Sequence, residues 1–154
     1  MINLKRILHP TDFSENSSKA LEYAAAFASH FDAEVHLLHV MADPILTMST
    51  SFAGYLPEGY FVEMRKDAEK RLADMAAEEP LQSIRSVQKV VDGSAFSEII
   101  RYARDNTSDM IILGTHGHSG LMHLLMGSVA ENVVRKASCP VLTVHPDDHQ
   151  FVMP

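Results

Sequence analysis

Apolar positions along this chain repeat at two spacings that take turns from one end to the other. Leu4 to His9 is a short, mostly apolar run and reads as a first strand. Ser14 then caps a helix to about Phe31, in which Leu21, Ala24, Ala25, Ala28 and Phe31 fall on one face. Val35 to Val40 reads as a second strand. A second helix is predicted from about Tyr60 to Glu79, with Phe61, Met64, Ala68, Leu72, Met75 and Ala76 in one stripe and Pro80 marking its end. Ile84 to Val91 carries Arg85, Gln88 and Lys89, so this strand is expected at an edge of the sheet. After the turn Asp92-Gly93-Ser94 comes a third helix whose buried side is Phe96, Ile99, Ile100 and Ala103. Met110 to Leu113 is wholly apolar, as a strand covered on both faces would be. A fourth helix from Ser128 to about Ala137 and a last strand from Val141 to Val144 complete the pattern.

Strands alternating with helices argue for an α/β fold in which helical crossovers join parallel strands. Between them, Met41 to Glu58 holds Pro44, Gly54, Pro57 and a Thr/Ser run, and is expected to be a long, mobile connection and a candidate lid. Residues 1–146 are read as one domain and 147–154 as a loosely ordered tail.

Composition narrows the function classes. No run approaches the ~20 apolar residues of a membrane span, and the opening residues lack a secretory cleavage pattern, so a soluble cytoplasmic protein is expected. Cys139 is the sole cysteine, which rules out an intramolecular disulfide. The formal net charge of −7 opposes a nucleic-acid partner, since such binding rests on clustered Lys and Arg.

The chemistry concentrates between residues 114 and 129. Gly114 closes an apolar strand, Gly117 and Gly120 follow, and Gly127-Ser128 opens a helix, giving G-x-x-G-x9-G-S. Glycines allow positive φ and close approach of the backbone, while a helix start adds unpaired amides and partial positive charge, so these elements can cradle a polyphosphate. The pattern is neither a Walker loop, which needs a Lys after the last glycine, nor a G-x-G-x-x-G following the first strand. A purely structural reading stands beside it: the glycines are turn formers, and Ser128-x-x-Glu131 is a capping box. Asp12, just past the first strand, has the same two readings. It accepts ribose hydroxyls or helps hold a divalent ion in a crevice shared with Gly114, or it is an acid at a helix start beside the Ser14 cap.

Taken in order, PTDFS, LLHV and GTHGHSG…GSVAENVVRKASCPVLTV resemble the universal stress proteins, specifically their ATP-binding branch. The resemblance spans nearly the whole chain. It implies an open five-stranded parallel sheet of order 3-2-1-4-5 with helices on both faces, a Rossmann-like adenine nucleotide-binding fold. Carried over to this sequence, it implies that Asp12 meets the ribose, the backbone of Val40 the adenine edge, and Leu113 and Gly114 the base and sugar. Gly117, Gly127, Ser128 and Val129 would surround the phosphates of ATP, or of AMP or ADP, with Mg carried by the phosphates. It further implies a homodimer through the last strand, Val141 to Val144.

His116, His118 and His123 invite a zinc reading, but their spacing fits no closed metal site, and no metal is assigned. His36 and His39 lie at i and i+3 in a strand, hence on opposite faces. The leading functional expectation is a nucleotide-binding regulatory module in a stress response, with no catalytic residue assigned. A slow ATPase or nucleotidyl transferase is the alternative, with Asp12, His116 and His118 the available catalytic groups. A structural dimer with a vestigial pocket is the third.

Overall fold

The computed structural model of the chain describes residues 2–41, 59–115 and 127–145. Within them lie strands β1 (Arg6–Pro10), β2 (Glu34–Met41), β3 (Ser86–Asp92), β4 (Met110–Gly114) and β5 (Val141–Val144). Helices α1 (Glu15–Phe31), α2 (Tyr60–Ala77), α3 (Ala95–Asp105) and α4 (Ser128–Lys136) connect or flank them. The strands form one parallel sheet in the order β3-β2-β1-β4-β5. The order implied by the family resemblance is the observed one, and the polar strand β3 occupies an edge.

Period-two alternation divides the core between the two faces. Ile7, Val35, Leu37 and Ile112 point to one side, where Ala20, Leu21, Ala24 and Ala28 of α1 and Ala68 and Leu72 of α2 cover them. Their neighbours Leu8, Leu38, Ile111 and Leu113 point to the other, against Ile99 and Ala103 of α3 and Ala130 and Val133 of α4. The small residues of α1 let that helix lie close to the sheet. In α2 the predicted stripe is shorter than expected: Ala68 and Leu72 are buried, whereas Met64 is 42% exposed. That helix packs mainly on the edge strand β3, so its first turns have little sheet beneath them.

Helix ends follow the local chemistry. Ser14 caps α1 by accepting the Ser17 amide at 3.2 Å, and Asp32 closes it in the left-handed conformation, with φ of 53°. No helix among the described residues is long and apolar enough to cross a membrane. The lid expectation falls, beyond Met41, outside the described residues; so do Gly117, Gly120, His116, His118, His123 and the tail at 147–154.

Candidate functional site

Beside β1, the sheet order places β2 on one side and β4 on the other, with α1 and α3 on opposite faces. At such a switch point the chain diverges and leaves a crevice beyond the strand ends. Here the crevice encloses about 360 Å³. Of the residues singled out in the sequence, Asp12, Val40, Leu113, Gly114, Gly127, Ser128 and Val129 line it, while Gly117 lies outside the described residues. Thr11, which the sequence puts beside Asp12 just past the first strand, lines it too, and so do Ser17, His39, Ala95, Ile99 and Thr115, which no motif singles out.

One wall is the turn from β1 into α1, and side chains hold it. Thr11 donates its amide to Leu38 O at 2.9 Å, which ties the turn to β2. Thr11 Oγ1 accepts the Phe13 amide at 3.0 Å and the Ser17 hydroxyl at 2.8 Å. Asp12 Oδ1 accepts the Ser14 amide at 3.0 Å, so the carboxylate both stabilises the helix start and faces the crevice. Its two sequence readings are compatible.

His9 sits beneath this turn and is fully buried. Its Nδ1 lies 3.0 Å from Ile112 O, and an acceptor there requires the proton on Nδ1. Ser17 Oγ is 3.4 Å from Nε2. Burial pushes the His9 pKa down to about 4, against the smaller opposing pull of the Ile112 carbonyl and Asp12. His39 donates from Nδ1 to Thr11 O at 2.8 Å, and its pKa is also lowered, chiefly by burial. His36 faces the opposite side of the sheet, as strand periodicity requires, with Nδ1 3.0 Å from the Tyr102 hydroxyl and Nε2 2.9 Å from Glu34.

The facing wall is built mainly by backbone. Thr115 donates its amide to Val144 O at 2.9 Å, and Gly127 donates to Thr115 O at 2.7 Å. Gly127 is the N-cap of α4 and Ser128 its first helical residue. The capping box expected at Ser128 and Glu131 therefore does not form; Glu131 instead pairs with Arg135 at 2.9 Å. Positive φ is not what calls for glycine here either. Gly127 has φ of −56°, and the left-handed glycines among the described residues are Gly59 and Gly93. Space is the reason at Gly114, where an added Cβ would stand 2.5 Å from Asn16 Nδ2 and 3.2 Å from Asn16 O. The amides of Ser128, Val129 and Ala130 belong to the first turn of α4 and have no intrahelical acceptor.

The remaining lining is apolar: Leu38, Val40, Ala95, Ile99, Leu113 and Val129. A carboxylate on one rim, a helix N-terminus on the other and an apolar slot between them suit a ligand with a flat apolar part and an anionic part. Among the described residues no group of three or more His, Cys, Asp or Glu is placed to hold a metal ion.

An open parallel sheet with its crevice at this switch point defines a Rossmann-like α/β protein. The chain belongs to the universal stress protein family, whose model matches residues 3–145. It is 34% identical to universal stress protein MJ0577 of Methanocaldococcus jannaschii over 152 residues, covering 91% of this chain and 94% of that one. The solved structure of MJ0577 aligns with a TM-score of 0.81 at 32% identity, over 96% of this chain and 99% of the other. Universal stress protein MJ0531 of the same organism is also 34% identical, over 91% of this chain and 81% of its own. The universal stress protein of Archaeoglobus fulgidus, solved in complex with dAMP, shares the fold with a TM-score of 0.63 at 17% identity, over 94% of this chain and 99% of that one.

Proposed function

We propose that the crevice binds an adenine nucleotide, ATP in the first instance and AMP or ADP in the same slot, and that the protein acts through this occupancy as a regulatory homodimer in a stress response. The observation that carries the reading is the convergence of Asp12 and the first turn of α4 on one crevice at the β1/β4 switch point. The crevice volume falls within the ~300 to 1,000 Å³ usual for small-molecule sites. The dAMP held by the Archaeoglobus fulgidus relative is a ligand of the same class.

In this reading Asp12 accepts the ribose hydroxyls, the Val40 backbone meets the adenine edge, and Leu113 and Gly114 flank base and sugar. Gly117, Gly127, Ser128 and Val129 surround the phosphates. The Gly127 amide is already engaged with Thr115 O, so the donors of α4 are those of Ser128, Val129 and Ala130. Residues 114–129 contain no Lys or Arg, which leaves backbone dipoles and a phosphate-borne Mg to balance the triphosphate charge. The dimer forms along β5, an edge strand whose Val141, Leu142 and Thr143 are only partly buried.

Mass spectrometry of small molecules released on denaturation, followed by calorimetry with Mg-ATP, tests the nucleotide. An adenine nucleotide in the first experiment or saturable heat in the second is expected; neither appearing would end the proposal. Replacing Leu142 by Lys should convert the dimer to monomer in light scattering.

A further inference from the structure

Three residues with side chains have positive φ among those described: Phe13 at 63°, Asp32 at 53° and Thr107 at 48°. Asp32 and Thr107 lie at the C-terminal ends of α1 and α3, where a left-handed residue is an ordinary way to stop a helix. Phe13 does not. It lies before a helix, in the turn that carries Asp12 into the crevice, and left-handed backbone is uncommon for a bulky aromatic residue.

The Phe13 ring has two partners. His39 of β2 packs against it with centroids 4.5 Å apart at an interplanar angle of 34°. The Arg71 guanidinium of α2 lies 4.0 Å from its centroid. His39 is itself anchored to the turn by its bond to Thr11 O, and the Phe13 amide is held by Thr11 Oγ1. The clamp thus closes on the residue next to Asp12, and it links the ligand-facing turn to α2, which lines not the crevice but an adjoining cavity that shares Asp12 and His39 with it.

We propose that Phe13 and Arg71 are positioning residues of the nucleotide site: the stack of His39, Phe13 and Arg71 holds the left-handed turn that aims Asp12 into the crevice, so that α2 contributes to ligand affinity without touching the ligand. This inference rests on the nucleotide reading of the crevice. A cation over an aromatic face is a modest interaction, and the left-handed backbone it helps to hold has a cost of the same order. Losing the cation therefore loosens the turn without unfolding the protein.

Arg71→Met should weaken Mg-ATP binding by about threefold to tenfold, with little change in thermal stability, and Arg71→Lys should restore most of it. Removing a positive charge near Asp12 also weakens anion binding through lost Coulomb attraction, and a double-mutant cycle separates the two causes. In a Phe13→Gly background the turn reaches positive φ with no clamp, so adding Arg71→Met should there leave affinity unchanged. The same fold-loss in both backgrounds would overturn the proposal, as would an Arg71→Met protein that binds like wild type. NMR of the ligand-free protein gives an independent readout: Arg71→Met should shift the backbone resonances and the HN–Hα coupling of Phe13 away from left-handed values. If wild type itself binds no nucleotide, the functional reading falls, and the clamp is judged on these ligand-free spectra, where an unchanged Phe13 conformation would refute it.

Discussion

The β1 wall of the crevice is held mainly by side chains and the β4 wall mainly by backbone, and the two fail in different ways. On the first, Thr11, Asp12, Ser14, Ser17, His9 and His39 form one connected set of hydrogen bonds, so its shape answers to pH and to polar substitutions. On the second, Thr115 and Gly127 are held mainly through main-chain groups, with the Thr115 hydroxyl adding a bond to Val144 O at 3.3 Å, and Gly114 is there because α1 leaves no room for a side chain. That wall answers to volume.

Acid should produce the largest effect, and on the first wall. His9 has a folded pKa of about 4 against 6.5 for a free imidazole, so as pH falls the unfolded chain takes up this proton first. The stabilisation is complete above 6.5 and is lost as pH falls toward 4, about 3 kcal/mol across the window. His39, also depressed, adds in the same direction. Urea unfolding of wild type and His9→Leu across that window checks this: the variant is less stable at neutral pH because Ile112 O loses its donor, and the gap should narrow as pH falls. A gap independent of pH would show that His9 contributes packing alone.

Next in size is Gly114→Ala, expected to cost about 1 to 3 kcal/mol through overpacking against Asn16. Adding Asn16→Ala should recover part of that loss, because the side-chain amide is the nearer clash and the backbone carbonyl remains. Full stability in the single variant would mean that the β4 wall yields more readily than its geometry suggests.

The two serines that begin helices sharpen the contrast at smaller magnitudes. Ser14→Ala removes a true cap and should cost about 1 kcal/mol in thermal or urea unfolding. Ser128 is a first helical residue and not a cap, so Ser128→Ala should change stability by less than about 0.5 kcal/mol. Its effect belongs instead to calorimetry, as a several-fold weaker Mg-ATP affinity. Equal stability losses at both positions would erase the distinction between the walls.

Much of the fold could be read from periodicity, because each strand is covered on both faces or stands at an edge and each helix shows one apolar side. Val141 to Val144 and the start of α1 at Ser14 appear where the pattern puts them. Met64 was misplaced because a stripe records which residues share a helix face and not how far the sheet extends beneath it. In the crevice, residue types were easier to anticipate than the reasons for them. Gly114 was expected to make room for a ligand or to form a turn, yet its structural neighbour is a residue of α1, a contact between positions 98 apart in sequence. Ser128 looked like a cap because S-x-x-E is a capping pattern, but Gly127 takes that position and shifts the register by one. The roles of His9 and Ser17 have no periodic signature, and the sequence places Thr11 at the strand end without showing its bonds; only the closure of α1 onto β1 and β4 makes the three a network.

The 2.7 Å bond from Gly127 to Thr115 O brings the chain back to the place it left. Thr115 and Gly127 thus meet at one pinned junction, and the entropy of closing a chain segment between two pinned ends changes only slowly with its length, by about 0.6 kcal/mol per doubling. Grafting intervals of other lengths and compositions between Thr115 and Gly127 is a route to retune which small molecule the scaffold prefers while leaving its melting temperature nearly constant.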